Sequence, residues 1–95
     1  MYASIRKYKN VTDADEAIKR INEEFVPIVS GVPGFIAYYV VGSGEGVVTS
    51  VNIFEDKSGV QESNRRAAGF VKNYANLFTT PPEITAGDIL ILKNK

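Results

Sequence analysis

The stretch that most limits what this chain can fold into lies at its middle. Val32-Pro33-Gly34 leads into Phe35-Ile36-Ala37-Tyr38-Tyr39-Val40-Val41, then comes Gly42-Ser43-Gly44-Glu45-Gly46, and then Val47-Val48-Thr49-Ser50-Val51-Asn52-Ile53-Phe54. Two runs rich in β-branched and aromatic residues around a glycine loop spell a β-hairpin. If Val41 faces Val47, then Phe35, Ala37, Tyr39 and Val41 share a face with Val47, Thr49, Val51 and Ile53. Ile36, Tyr38 and Val40 then share the other with Val48, Ser50, Asn52 and Phe54. A one-residue bulge exchanges Tyr38 for Tyr39, so which tyrosine stands beside Asn52 is open at this point.

Each flank of the hairpin carries a helical pattern and, beyond it, a strand pattern. Tyr2 to Tyr8 alternates, with Ala3 and Ile5 on one side and Tyr2, Ser4, Arg6 and Tyr8 on the other. Thr12 offers an N-cap with Asp13, Asp15 and Glu16 in the first turn. Ala14, Ala17, Ile18, Ile21, Phe25, Ile28 and Val29 follow at helical spacing, with Glu16–Arg20 and Lys19–Glu23 as supporting i,i+4 pairs. Pro27 cannot donate to the Glu23 carbonyl, so a kink or an early end is expected there. Gly31 and Pro33 close the segment. After the hairpin, Asp56 or Ser58 caps a second helix whose stripe is Val60, Asn64, Ala67, Val71, Tyr74 and Phe78. Phe70 and Leu77 lie on a second apolar line. Thr79-Thr80-Pro81-Pro82 stops this helix, and Glu83 to Lys93 returns to strand.

The order β-α-β-β-α-β is the split βαβ arrangement. Right-handed crossovers place both helices on one face of a four-stranded antiparallel sheet of order 4-1-3-2. The expected fold is therefore α+β, a ferredoxin-like sandwich forming one domain over residues 1–95. With the Phe35, Val51 and Ile53 side taken as core under the helices, the opposite face still carries Ile36, Tyr38, Val40, Val48, Phe54, Leu90 and Leu92. An open apolar face of that size marks an interface. The expectation is a homodimer with its sheets packed face to face, a dimeric α/β barrel. The same parity puts Ser4, Arg6, Ser50, Asn52 and Asp88 on that face. One reading is a register-fixing Arg6–Asp88 ion pair. The other is a ligand pocket in which Arg6, Tyr38 and Asn52, with Ser50, Phe54 and Asp88 around them, hold an oxygenated planar molecule.

Composition narrows the chemistry. Eleven basic and eleven acidic residues cancel, which argues against a nucleic-acid partner. The chain has neither Cys nor His. Thiolate nucleophiles, disulfides and imidazole catalysis are excluded, and no metal site is expected. No signal-like or membrane-spanning run is present, so the expected location is cytoplasmic, with no membrane partner. The hairpin loop lacks the Lys-Ser/Thr and the strand-to-helix setting of a phosphate loop.

Several of these stretches resemble the antibiotic biosynthesis monooxygenases. They are the first strand, the Phe25-Val26-Pro27-Ile28-Val29 turn with Val32-Pro33-Gly34-Phe35 after it, Val51-Asn52-Ile53-Phe54-Glu55-Asp56, and the helix that follows. The resemblance implies a dimeric α/β barrel with one cavity per subunit. It also implies, in some members, oxygenation of phenols by molecular oxygen with no cofactor, neither flavin nor metal. Asn52 is the residue it carries over as a polar site group. The chain departs from the group in lacking His, which the haem-degrading branch uses, and in having Phe54 where many relatives place Trp. Three functions follow as expectations: a cofactor-independent monooxygenase acting on a small aromatic or quinol, a non-catalytic dimer that binds a small apolar or aromatic ligand, and a purely structural dimer module. The catalytic residues stay unassigned.

Overall fold

The alternating run near the N-terminus is β1 (Tyr2–Tyr8), and the central stretch is the hairpin of β2 (Phe35–Gly44) and β3 (Val47–Phe54). The structure is a computed structural model that describes residues 1–95. Between β1 and β2 runs one helical rod in three parts: α1 (Ala14–Arg20), a π-helical turn (Ile21–Phe25) and α2 (Val26–Ser30). After the hairpin come α3 (Lys57–Asn73) and β4 (Glu83–Asp88). The strands form one antiparallel sheet in the order β2-β3-β1-β4, the ferredoxin-like topology expected.

The helices cover the face opposite to the one expected. Ser4, Arg6, Tyr8, Val48, Ser50, Asn52 and Phe54 are all buried beneath them. The uncovered face carries Ala3, Ile5, Ala37, Tyr39, Val41, Thr49, Val51 and Ile53. Ile5, Tyr39 and Val41 are 41%, 57% and 54% exposed. Val41 faces Thr49 rather than Val47, and apart from Phe35 and Ile36 each face keeps the hairpin residues expected of it, but its destination is reversed. Both faces are apolar enough to be buried, so period two alone does not say which one meets the helices. What selects the inner face is size. Ser4, Ser50 and Asn52 are short and let the helices approach, while Tyr8, Val48 and Phe54 fill the ends.

Register is set by two irregularities in β2. Phe35 pairs with Phe54 and Ala37 with Ile53, which leaves Ile36 as an extra residue, and a second shift falls between Gly42 and Gly44. Tyr38 thereby stands opposite Asn52 on the inner face, and Tyr39 opposite Val51 on the outer one. The bulge also brings Phe35 inward, its ring 5.8 Å from that of Phe54 in an edge-on contact.

The first helix is capped one residue later than expected. Asp13 accepts the Glu16 amide, and Thr12 instead donates to the Asn76 carbonyl. Glu16–Arg20 forms, but Lys19–Glu23 does not, and Arg20 reaches Glu24 as well. Pro27 does not end the rod. The backbone widens just before it, where the Val26 amide bonds to the Ile21 carbonyl five residues back. The turn ahead of Pro27 thus takes up a proline that a straight α-helix would accept only with a kink. Ala17, Ile21, Phe25 and Val29 face the sheet. A side chain such as Phe25 contributes about 1.5–3 kcal/mol by leaving water.

In α3 the buried line is Val60, Ser63, Ala67 and Phe70, so Phe70 belongs to the main stripe, and Asp56 is the N-cap, accepting the Gly59 amide. The helix ends at Asn73, before the prolines expected to stop it. Phe78 then bridges to Val11. β4 stops at Asp88, shorter than the expected run to Lys93. Leu90 and Ile91 beyond it are 89% and 90% exposed.

Candidate functional site

Arg6 lies at the middle of β1, opposite Ser50 on β3 and Ile84 on β4, with its side chain 2% exposed beneath the helices. Its Nη1 donates to the Asn64 Oδ1 of α3 at 2.6 Å. That oxygen also accepts from the Ser4 hydroxyl at 2.9 Å. The guanidinium carbon stands 5.8 Å from the centre of the Phe25 ring. Its Nε is buried with no hydrogen-bond partner. None of the ion pairs of the chain includes Arg6. A buried charge normally finds a counter-charge. This one has a neutral amide and an aromatic face.

Around Arg6 is a small chamber between sheet and helices, walled by Tyr8, Ile21, Phe25, Tyr38, Ser50 and Phe70 among others, with about 10 Å³ of room. That is space for roughly one water molecule. Two open grooves adjoin it. One, of about 430 Å³, runs between the first helical rod and β2 and shares Ile21 and Tyr38 with the chamber. The other, of about 460 Å³, runs between α3 and β4 and shares Arg6, Tyr8 and Val71. The π-helical turn supplies both Ile21 and Phe25 to the chamber wall.

The titratable groups at the chamber are hydrogen-bond donors. Burial pushes the Tyr8 hydroxyl up from its ordinary pKa, and the charge of Arg6 pulls it back only in part. The same holds for Tyr38, where burial is again the largest cause and the charge of Arg6 opposes it. Both are phenols at neutral pH. No Asp or Glu lines the chamber or the α3–β4 groove. Nothing there has the pKa of a general base near neutrality.

The structure brings together Arg6, Tyr38 and Ser50, all at the chamber, with Ser50 Oγ buried and unpartnered. Asn52 stands one pair along, fully buried, with Nδ2 on the Ser4 carbonyl at 3.2 Å. It lines neither the chamber nor a groove, and its Oδ1 has no partner. Phe54 packs under Gly59, where a Cβ would come within 2.5 Å of its ring. Asp88 does not pair with Arg6. It stands opposite Tyr2, four residues further along β1, or about 13 Å away. Its side of β4 is open to solvent. Asn64, expected only on the buried stripe of its helix, is the residue that holds Arg6. The signal for its role was an amide on an otherwise apolar helical line facing a strand that carries a lone arginine.

No family model matches the chain, and no curated protein does. Solved structures do. A protein of unknown function from Nitrosomonas europaea is 21% identical, covering 99% of this chain and 93% of its own, with a TM-score of 0.78. A Deinococcus radiodurans structure assigned to the antibiotic biosynthesis monooxygenases is 13% identical, covering 100% and 98%, with a TM-score of 0.77. The ActVA-Orf6 monooxygenase of Streptomyces coelicolor, in complex with nanaomycin D, is 15% identical, covering 98% and 92%, with a TM-score of 0.73. At these identities the likeness is one of fold, and the chain has the ferredoxin-like fold of antibiotic biosynthesis monooxygenases.

Proposed function

We propose that this chain binds a small, oxygenated aromatic molecule between its sheet and its helices. We propose further that the associated chemistry is cofactor-independent oxygenation of a quinol-like substrate. The observation that carries this reading is Arg6, a buried guanidinium with no acidic partner, inside walls of Tyr8, Phe25, Tyr38 and Phe70. An enolate or phenolate formed from the substrate would supply the missing negative charge, and a cation already in place stabilises charge as it develops. A structural relative bound to nanaomycin D adds support. The electrons come from the substrate. A phenol of the substrate loses its proton, O₂ adds at the ring C–H carbon ortho or para to it, and protonation followed by loss of water from the hydroperoxide leaves a quinone carbonyl. In this reading Tyr8 and Tyr38, which line the chamber as phenols, return the proton to the peroxide. With no base lining the chamber, the first proton leaves to solvent, and the lowered pKa of the substrate beside Arg6 does the rest. With room for one water in the chamber, an aromatic ligand enters only as the walls part, along Ile21 and Tyr38 on the side of one groove or Tyr8 and Val71 on the side of the other.

Non-catalytic binding at the same place is the second reading, favoured by the absence of a carboxylate or imidazole along the chamber. Oxygen consumption with a panel of dihydroxyaromatics separates the two. The enzyme reading expects uptake that Arg6→Ala lowers by about 10²-fold. Binding without uptake leaves the second reading, and uptake unchanged by Arg6→Ala removes these residues from the chemistry. The Asn52→Ala variant is expected to act only through stability, since Asn52 does not line the chamber.

The proposal includes a homodimer. Its interface is the uncovered face of Ile5, Tyr39, Val41, Val51 and Ile53, so each subunit keeps its own chamber on the far side of the sheet.

A further inference from the structure

The α3–β4 groove differs from the other in its charge. Arg6 closes its floor and Lys72 stands at its rim, and neither belongs to any ion pair. Asn64, Ala68 and Lys72 line it from one side of α3 at i, i+4 and i+8, about 12 Å of helix. Pro81, Pro82 and Ile84 form the opposite wall. The groove therefore offers two cations, apolar walls and no acid. Its polar floor is built: Arg6 is 2% exposed, held on one side by Asn64, with its Nε buried and unused. Such a guanidinium matches the flat fork of a carboxylate. A phosphate would be drawn to a helix N-terminus, and α3 begins two turns before Asn64, at Lys57.

We propose that the α3–β4 groove is a carboxylate subsite that takes a flat, apolar carboxylic acid, its carboxylate on Arg6 and its body along Val71, Pro81, Pro82 and Ile84. This rests on and deepens the binding reading of the Arg6 site: the ligand's own carboxylate supplies the negative charge there, and the groove gives its direction of approach. Asn64 acts as the positioning residue, since its oxygen keeps Nη1 turned inward and leaves the rest of the fork to the ligand.

The test uses the matched probes cinnamate and cinnamamide, with binding measured by calorimetry on the full chain. Cinnamate is expected to bind at least about tenfold more tightly than the amide, and Arg6→Met to abolish that preference. Asn64→Asp gives Arg6 a carboxylate of its own. It is expected to raise the melting temperature and to weaken cinnamate by at least about tenfold, while Asn64→Gln does not raise it. The Asp variant keeps the test decisive should Arg6→Met fail to fold. Equal affinity for acid and amide, no binding of either probe, or cinnamate affinity unmoved by Asn64→Asp overturns the subsite. Oxygen uptake or binding with neutral dihydroxyaromatics is scored separately. A chamber that accepts them while the groove ignores cinnamate leaves the proposed function standing and removes only this inference.

Discussion

Arg6 lies beneath the helices with a neutral amide and an aromatic ring for partners and no acid beside it. Replacing it with Met is expected to stabilise the unliganded protein by roughly 1–3 kcal/mol, since the charge is desolvated without an acid to offset it. Urea unfolding of the two forms checks this, and a loss of stability would mean that the Asn64 and Phe25 contacts outweigh desolvation. The tyrosines give a pH signature. A folded-state pKa raised above the unfolded value of 10.0 means stability that is full below pH 10.0 and is lost as pH rises through the folded pKa. Melting temperature is thus expected to fall above pH 10.0, less steeply in Tyr38→Phe. At this scale, parity brought Arg6 and Ser50 to one face, while the choice of Tyr38 over Tyr39 waited on the register of the hairpin. Asp88 was misplaced because parity fixes a face and says nothing of distance along the strand. Asn64 was missed because a helix-face amide has no sequence mark until its partner strand is known.

At the scale of elements, Gly59 sets how closely α3 lies on the sheet. A Cβ there would sit 2.5 Å and 2.7 Å from ring atoms of Phe54, which is fully buried and has nowhere to turn. Gly59→Ala is expected to cost about 1–3 kcal/mol by overpacking, against any gain in helix propensity. Thermal melts with Gly69→Ala as the control check this, because a Cβ at Gly69 meets nothing within 4 Å. Glu62, paired with Arg65 and Arg66 on the outer side of α3, titrates low, at about 2. Its contribution is present above the ordinary carboxylate pKa of 4.5 and is lost as pH falls toward 2, so Glu62→Gln should flatten the acid limb of a stability–pH curve. The four strands and the two helical segments were legible in the sequence, and the π-helical turn was not. Pro27 announced an irregularity but not its form, since kink, stop and widened turn all dispose of the missing amide. The short extent of β4 was illegible because Leu90 to Leu92 alternate like a strand yet find no partner within the chain.

For the whole molecule, strand order followed from element order and handedness. The destination of each sheet face did not, because connection rules place the helices on a side of the sheet without saying which pleat phase points there. Only the fit of small residues under the helices decides it. The reversal changes where a partner would sit. The proposed homodimer is expected to be broken by Val51→Lys on the outer face and left intact by Arg6→Met beneath the helices. Size-exclusion with light scattering reads both, and a monomeric wild type ends the dimer reading. The chain contains no helix long and apolar enough to cross a membrane.

An unmatched buried cation has a last consequence in turnover. If an anion neutralises Arg6, the occupied molecule unfolds less often than the empty one, by the mass-action factor of the ligand over its dissociation constant. Proteases act on the opened state. The amount of this protein a cell keeps would then rise and fall with the supply of its ligand, with no change in the rate of its synthesis.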